Sequence, residues 1–414
     1  MSQKSYNRLQ KEFLHEIEFV TNIGRKLFVY PFIGRNKISV YCYNVVYLLV
    51  VITSSQLFIS LCVTKFQDWF QIVNIAPNFG VCLMILLKYK KFNNHHLTYE
   101  RILRHFKEDL WDIFDNSDEH MLILKVYTDT TRLISRFEYY YSLILVVVVN
   151  LLPRLIMWYT SIVNDEAHKE EVQYLYPFDG WYPFDKVKWY YFAYSWEGFM
   201  TTIVILLYSF ANMIHMMYTR LICMELNLLG RLMEGLISFE DEAEIQNTFR
   251  ISICELHIYR SVKTKLVMII RRHQLLAEIT SDLNKVLGDG MLLIYIFGSV
   301  FICLTIFTAT VVDNFYLRIR YFSFFCSLLI EVFLQCIIGQ LLIDHSSKLE
   351  RAVYFADWPH ANSEIKKMLL IVLIRAQKPL KFSANGYVIM NLGTFSGICS
   401  LSYQFFNLLR TAYS

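Results

Sequence analysis

Residues 38–64 read ISVYCYNVVYLLVVITSSQLFISLCVT, and none of these 27 side chains carries a charge. A helix needs about 20 apolar residues to cross the hydrocarbon core of a bilayer. Since lipid offers no partner for backbone N–H and C=O groups, an uncharged run of this length indicates a membrane-spanning helix. The preceding 37 residues hold seven Lys and Arg side chains and no small-residue cleavage site, so we expect this helix to act as an uncleaved membrane signal.

Six more stretches along the chain meet the same requirement. They are residues 69–87, 139–159, 189–217, 291–312, 321–343 and 386–410, the last of which is the C-terminal part of an uncharged run. The composition agrees, because 55% of the 414 residues are hydrophobic, which exceeds the share found in most soluble domains. The sequence therefore predicts an all-α membrane protein with seven transmembrane helices.

The positive charges are concentrated on one side of the predicted membrane. Of the 40 Lys and Arg residues, 31 lie in four segments that share one side, namely residues 1–37, 90–136, 218–290 and 348–381. The loops on the other side, together with the C-terminus, hold only 5. Because cytoplasmic segments carry the excess of Lys and Arg, we expect a cytoplasmic N-terminus and an extracellular C-terminus. This orientation excludes a G-protein-coupled receptor, whose seven helices run the other way.

This topology divides the chain into six parts. They are a cytoplasmic N-terminus (1–37), transmembrane helices 1–4 (38–217), a long inner segment (218–290), transmembrane helices 5 and 6 (291–343), a second inner segment (348–381) and transmembrane helix 7 (386–410). The long inner segment carries two apolar stripes at helical spacing: Leu221, Met224, Leu228 and Leu232, then Val262, Leu266, Ile269, Leu276, Leu283 and Leu287. They predict cytosolic extensions of helices 4 and 5 that form an anchor, each stripe either packing inside the subunit or contacting further subunits.

Three charged residues fall inside the predicted spans, namely Arg154, Glu197 and Glu331. Charges within a bilayer are costly and generally face protein or water. Glu331 and Gln335 share one helix face at i and i+4, so that face must contact protein. Arg154 and Glu197 both lie in the outer half of the membrane, where they could pair across a water-filled vestibule or as a structural ion pair.

Motifs for catalysis or cofactor binding are absent from the sequence. It has no P-loop, no Gly-x-Ser-x-Gly, no His-Glu-x-x-His and no Gly-rich dinucleotide turn. His95 and His96 have no third ligand at a suitable spacing, and the nine cysteines follow no disulfide or metal pattern. The net charge of +4 gives no indication of nucleic-acid binding. We therefore expect neither an enzyme nor a cofactor or metal site.

The C-terminal residues 354–414 carry a recognisable set of motifs. They are Trp358, the basic pair Lys366–Lys367, the run Arg-Ala-Gln-Lys-Pro-Leu at 375–380 and, on the last helix, Thr394–Phe395, Ser402–Tyr403 and Leu408-Leu-Arg410. This set resembles the C-terminal signature of the insect odorant receptor family. The resemblance covers residues 354–414 by motif, and the whole chain by length and inverted topology.

Two related groups differ from this pattern. Gustatory receptors share the fold, but only five residues separate Thr-Tyr from Gln-Phe on their last helix, whereas eight separate Thr394–Phe395 from Gln404–Phe405. The odorant co-receptor has a longer segment between helices 4 and 5 than residues 218–290. An odour-tuned subunit therefore fits best, with a gustatory-type channel of the same fold or a membrane transporter as the alternatives. The odd helix count and the lack of internal repeats argue against the transporter.

The resemblance implies an odorant-gated, non-selective cation channel in the plasma membrane of a sensory neuron dendrite. Four subunits, including the odorant co-receptor, would surround one central pore as a heterotetramer. A small, volatile, mostly apolar odorant would bind in the outer half of the bundle formed by residues 38–217 together with helix 6. The second inner segment would be the cytosolic part of helix 7, whose spanning part would line the pore.

Candidate site residues follow from this arrangement. Ligand walls are predicted on helices 2, 3, 4 and 6, at Phe70, Val73, Asn74, Pro77, Asn150, Arg154, Trp158, Tyr194, Phe199, Thr202, Tyr321, Phe324 and Phe325. Pore-lining residues are predicted on helix 7, at Thr394, Leu401, Gln404, Asn407 and Leu408, with Leu408 as a hydrophobic constriction. The helix-7 stripe could instead pack against its own bundle, and the aromatic wall residues could serve packing alone.

The orientation is testable with epitope tags placed after Ser2 and after Ser414. We expect the C-terminal tag to bind antibody on intact cells and the N-terminal tag to require permeabilisation, because the excess of Lys and Arg keeps the N-terminal side in the cytoplasm. A C-terminal tag that is accessible only after permeabilisation would contradict the predicted topology.

Overall fold

A computed structural model describes residues 3–29, 37–63, 69–114, 117–164, 174–178, 180–237, 253–312 and 315–413. These residues are almost entirely helical. The helices are α1 Gln3–Lys26, α2 Lys37–Val63, α3 Trp69–Asn94, α4 His96–Lys107, α5 Asp118–Asn164, α6 Tyr190–Glu234, α7 Ile253–Val311, α8 Phe315–Phe355, α9 Ser363–Ala376 and α10 Leu392–Tyr413. A short 3-10 helix covers Asp109–Ile113, and strands β1 (Ser383–Ala384) and β2 (Val388–Ile389) form an antiparallel hairpin.

Five of these helices, α2, α5, α6, α7 and α8, are long and apolar enough to cross a membrane. Helices α3 and α10 correspond to the other two predicted spans and contain 26 and 22 residues. At 1.5 Å per residue their lengths are about 39 and 33 Å, which also suffices for a bilayer core of about 30 Å. The all-α membrane fold expected from the sequence is confirmed, whereas the count of seven spans and the orientation stay predictions.

Four helices extend well beyond the thickness of a bilayer. Helices α5, α6, α7 and α8 contain 47, 45, 59 and 41 residues, which corresponds to roughly 60 to 90 Å. The two apolar stripes of residues 218–290 lie on the extensions of α6 and α7, and apart from the half-buried Leu232 they are buried within the chain. They therefore form the core of this extension and not an exposed surface for other subunits.

Helix α1 packs against α5 and α6 and forms part of the fold. Its apolar face buries Phe13, Ile17 and Val20. The carboxylate of Glu16, only 3% exposed, accepts a hydrogen bond of 2.8 Å from Arg132 Nε on α5. A buried carboxylate without such a partner would cost several kcal/mol, so this pair fixes where α1 lies on the bundle.

A second buried charge joins α4 to the extensions of α6 and α7. Glu225 on α6 is fully buried, and its Oε2 lies 2.7 Å from His105 Nε2 on α4. Arg272 on α7 approaches Oε1 of the same carboxylate at 3.8 Å. Two elements that are distant in sequence from α6 thus contact one of its charges.

The chain between α8 and α10 differs in its bounds from the sequence prediction. The cytosolic part of helix 7 was expected within residues 348–381, but residues 348–355 complete α8, and the inner helix is α9. Asn362 caps α9, its Oδ1 accepting a 2.8 Å hydrogen bond from the backbone N–H of Ile365. The hairpin that follows turns at Asn385 and Gly386, which adopt φ values of 50° and 83°. Asn-Gly is the residue pair that such two-residue turns favour.

The start of α10 is held close to α8 by a glycine. A Cβ atom on Gly339 would overlap the carbonyl oxygen of Met390 and lie 2.9 Å from its carbonyl carbon. Only glycine allows the hairpin to approach α8 this closely. Nearby, the backbone N–H of Leu392 donates to Gln340 Oε1 at 3.4 Å. Helix α10 therefore begins at a rigid junction with the helix bundle.

Candidate ligand cavity and pore helix

A cavity of about 190 Å³ lies among α2, α3, α5, α6 and α8. This volume is below the roughly 300 Å³ at which pockets for drug-sized ligands begin. Its side walls are mostly apolar and include Leu57, Val81, Val149, Met200, Val204 and Phe324. On α6 the lining extends from Met200 to Asn212, which is about 18 Å along the helix axis. The cavity is therefore narrow and elongated along the bundle.

The segment before α6 covers one end of this cavity, and we call its residues 176–178 and 180–182 the roof. Pro177 and Phe178 of the roof line the cavity. Glu197 on α6 holds the segment in place, because its carboxylate accepts hydrogen bonds from the backbone N–H groups of Phe178 and Gly180, both at 3.0 Å. The hydroxyl of Tyr182 donates to the same carboxylate at 3.2 Å. Glu197 is fully buried, so these donors replace the water that an ionised carboxylate requires.

Helix α2 holds the same roof from the opposite side. The backbone N–H of Trp181 donates to Ser60 Oγ at 2.6 Å, and Gln56 Nε2 donates to the carbonyl oxygen of Trp181 at 3.0 Å. A Cβ atom on Gly180 would lie 2.7 Å from Gln56 Nε2, so a larger residue would displace this contact. On α8, Arg320 Nη2 donates to the carbonyl oxygen of Pro177 at 2.9 Å. Three helices thus fix the roof.

Polar side chains lie at the opposite end of the cavity, where Glu138 on α5, Tyr208 and Asn212 on α6 and Glu331 on α8 line it. Together with Lys88 on α3 and Gln335 on α8, which are hydrogen-bonded to this group from outside the lining, they form what we call the polar floor. Lys88 Nζ donates to Asn212 Oδ1 at 2.8 Å, and Asn212 Nδ2 donates to Glu331 Oε2 at 2.7 Å. The ammonium of Lys88 also lies 4.2 Å from the ring centroid of Tyr208. This network joins α3, α6 and α8 through groups that lipid could not satisfy.

Gln335 completes the network, since its Nε2 donates to Asn212 Oδ1 at 3.1 Å and to Glu331 Oε1 at 3.2 Å. The face that Glu331 and Gln335 share on α8 therefore contacts protein, as their i, i+4 spacing indicated. Glu138 and Leu334 also border a second cavity, of about 390 Å³, between α5, α6 and α8. These two residues separate the two spaces.

Two predicted wall residues, Pro77 and Phe324, line the 190 Å³ cavity. Val73 and Tyr321 are buried elsewhere, in a small cluster with Ala309 and Val312. Phe325 packs against the main hydrophobic core. The side chains of Phe70 and Asn74, also predicted, lie outside the described residues.

Four other predicted residues, Asn150, Arg154, Tyr194 and Thr202, join α5 to α6. Asn150 Nδ2 donates to Thr202 Oγ1 at 3.1 Å, and the hydroxyl of Tyr194 donates to the carbonyl oxygen of Asn150. Arg154 lies with its guanidinium carbon 4.3 Å from the ring centroid of Tyr194. The outer charges Arg154 and Glu197 thus have different partners, the first an aromatic ring and the second the roof.

The remaining predicted wall residues, Trp158 and Phe199, are 66% and 53% exposed on the single chain. Neither contributes to the lining of the 190 Å³ cavity. Helical spacing placed Trp158 on one face with Asn150 and Arg154, but spacing alone does not tell which face is inward. In a membrane, these two large apolar side chains would face lipid or a neighbouring subunit.

Four residues of the polar floor were not predicted from the sequence: Lys88, Glu138, Tyr208 and Asn212. Lys88 directly follows the apolar run 69–87, and Glu138 directly precedes the run 139–159. Both positions were taken as the ends of spans, where charges normally reach water. The sequence did contain a signal for this pair. A Lys at the end of one span and a Glu at the start of the next lie at the same depth in the membrane, so they could interact.

Helix α10 packs on the bundle with only one face. Ile398 and Ser402 are buried, and Ser402 Oγ donates to the carbonyl oxygen of Ser299 on α7 at 3.0 Å. Of the predicted pore residues, Thr394 and Leu401 are half-buried, whereas Gln404, Asn407 and Leu408 are exposed. Three further polar residues, Ser396, Ser400 and Thr411, are exposed and share a helix face with Asn407 at spacings of 4, 7 and 4 residues.

The hydrogen bonds of Glu197 predict how a substitution would affect the roof. In Glu197→Gln, one acceptor oxygen becomes a donor, so a buried N–H of the roof loses its partner at a cost of about 1–3 kcal/mol. We expect hydrogen–deuterium exchange of peptides covering residues 176–181 to accelerate by roughly tenfold. Arg154→Gln is the matched control and should leave this exchange unchanged. Equal acceleration in both variants would show that an Arg154–Glu197 ion pair holds the roof instead.

Comparison with known proteins identifies the family. Residues 72–403, which are most of the chain, match the family model described as 7tm Odorant receptor. The chain is similar to odorant receptors 49a and 67a of Drosophila melanogaster, with 34% identity over 146 residues and 31% over 149 residues. These segments cover 35% and 36% of this chain and 37% of each relative, so the chain spans about a third of the length of these curated relatives.

The fold is also that of solved members of this group. The olfactory receptor OR5 of Machilis hrabei superposes with a TM-score of 0.74, both in complex with eugenol and without it. The matches cover 97% and 96% of this chain and 100% and 99% of those structures, at 15% and 14% identity. Sequence family and fold therefore agree over nearly the whole length, and the chain belongs to the insect odorant receptor family.

Proposed function

We propose that this chain is the odour-tuned subunit of an odorant-gated, non-selective cation channel. In this proposal it assembles with the odorant co-receptor as a heterotetramer in the plasma membrane of a sensory neuron dendrite. Family membership supports the receptor role. The observation that carries the proposal is the mostly apolar 190 Å³ cavity, which is separate from a helix whose polar face is exposed among the described residues.

The cavity suits a small, volatile, mostly apolar ligand. Burial of apolar surface contributes about 25 cal/mol per Å² to binding, so a small odorant gains most of its affinity from the apolar walls. The roof separates this space from the outer solution, which favours a ligand that leaves water readily. OR5 of Machilis hrabei was solved with eugenol, a small aromatic odorant, and this supports a ligand of similar size here.

The exposed face of α10 supports its role as the pore helix. Gln404, Asn407 and the serines that precede them would be costly in contact with lipid. Four subunits that turn this face towards a common axis would instead place it in contact with water and ions. Leu408 lies beside this face and is 66% exposed, so it would provide an apolar constriction. Thr394 and Leu401 would lie at its edge.

Helix α8 connects the cavity with the pore helix. Its residues Phe324, Glu331 and Leu334 line the cavity. Further along α8, the ring of Phe333 meets the ring of Phe395 on α10 edge to face, with 5.3 Å between the ring centroids. Six residues later, Gly339 lies against Met390, just before α10. A ligand that displaces α8 would therefore move the start of α10. We propose this as the route from binding to opening.

The division between cavity and pore predicts three different phenotypes when variants are co-expressed with an odorant co-receptor. Phe324→Ala removes wall area, and loss of about 50 Å² of contact corresponds to roughly tenfold in affinity. We expect half-maximal odorant concentrations to shift by about this factor and the rank order of odorants to change, with reversal potentials unaltered. Trp158→Ala, its control outside the cavity, should leave sensitivity and rank order unchanged.

Leu408→Ala should act in the opposite way, raising basal current or changing ion permeability while the rank order of odorants is retained. Dose–response curves and reversal potentials on the three variants provide the comparison. Altered ion selectivity in Phe324→Ala, together with re-ordered odorant preference in Leu408→Ala, would contradict the proposed division.

A further inference from the structure

The two carboxylates of the polar floor have different environments. Glu331 accepts hydrogen bonds from Asn212 at 2.7 Å and from Gln335 at 3.2 Å, and the hydroxyl of Tyr208 also donates to it. The nearest cation, Lys88, is joined to it through Asn212. Donors therefore occupy both oxygens of Glu331, and this carboxylate has little capacity left for a ligand.

Glu138 is buried without equivalent partners. It is 4% exposed, and its Oε1 has no hydrogen-bond partner among the described residues. Leaving a buried acceptor unpaired is unfavourable, and a charged one more so. Glu138 borders the 190 Å³ cavity at the end opposite the roof. The cavity thus offers a ligand one unused, strong acceptor at its polar end.

We propose that the ligand carries a hydrogen-bond donor at one end, either a hydroxyl or an ammonium group, which Glu138 accepts. This inference rests on the proposed odorant-binding role of the cavity and specifies its ligand class. The rest of the ligand lies along the apolar walls, towards Phe178. An ester, ketone or ether of the same size brings only acceptors to a lining that already holds two carboxylates and does not include Lys88. Such a ligand leaves Glu138 unpaired.

Matched compounds test this preference on cells that express the chain with an odorant co-receptor. The probes are hexanol, hexylamine and hexanone, extended to the butyl and octyl series, together with para-cresol and its methyl ether. We expect the hydroxyl or amine member to activate at concentrations at least about tenfold lower than its acceptor-only counterpart, as expected for a hydrogen bond to a charged group. Equal or better activation by the acceptor-only members would overturn the proposal.

Two substitutions distinguish the hydroxyl from the ammonium. Glu138→Gln keeps an acceptor oxygen without the charge, so a hydroxyl ligand should retain most of its advantage, whereas an ammonium ligand should lose about tenfold or more. Glu138→Leu should abolish the advantage of both. Glu331→Gln is the matched control, and it should keep the ratio between donor and acceptor compounds because its own donors lie within the protein. An unchanged ratio in both Glu138 variants would exclude Glu138 as the acceptor.

Surface labelling and the response to hexanone show whether each variant folds. Val204→Phe narrows the 190 Å³ cavity and leaves the lining of the 390 Å³ cavity intact, so it should weaken all agonists. Donor-selective activation that survives this change would place the ligand in the larger space and overturn the assignment.

Thermal stabilisation of the purified chain by the same compounds gives a second readout. If no compound evoked current or stabilised the chain, the proposed function itself would fail, whereas responses without donor preference would reject the ligand class alone.

Discussion

The structure depends on one constraint, which is that charged groups within the bilayer must find their partners inside the protein. Lys88 and Glu331 meet this constraint through Asn212, and in doing so they join three helices that are distant in sequence. Glu197 meets it by accepting hydrogen bonds from the backbone of the roof. The first group lies at the polar-floor end of the cavity and the second at the roof end. The cavity lies between these two sets of paired charges, and beside it Glu138 keeps one oxygen without a hydrogen-bond partner among the described residues.

The same constraint separates the helices that surround the cavity from the helix that leaves a polar face exposed. Helices α2, α3, α5, α6 and α8 share the cavity and the hydrogen bonds at both of its ends. Helix α10 packs on the bundle through Ile398 and Ser402, and its exposed surface includes both a polar stripe and apolar side chains such as Leu408. Because the interior of the bundle is close-packed, a small displacement of α8 by a ligand would be transmitted to its neighbours. In the proposed function it would reach α10 through the contact of Phe333 with Phe395, and the residues just before α10 through the contact of Gly339 with Met390. In the proposed function, binding and conduction therefore belong to different parts of one chain.

The sequence was sufficient for the features that follow from hydropathy and charge. It predicted the all-α membrane fold, the two buried stripes of the extensions and the protein-facing side of Glu331 and Gln335. It was less informative about the cavity wall, because a spanning helix can be apolar on all sides and its pattern then does not show which face is inward. Trp158 and Phe199 were chosen by spacing and are exposed, whereas Glu138 stood at the end of an apolar run and was read as a boundary. The Asn385-Gly386 turn could have been predicted, since that pair is a recognised hairpin signal.

The central claim is that the odorant occupies the cavity between the roof and the polar floor. The most direct measurement is a cryo-electron-microscopy structure of the subunit with the odorant co-receptor and a brominated phenol, whose bromine marks the ligand position. We expect ligand density among α3, α5, α6 and α8, beneath Phe178, with the hydroxyl directed towards Glu138. Density confined to the 390 Å³ cavity, to the lipid-facing surface near Trp158 or to an interface between subunits would contradict it.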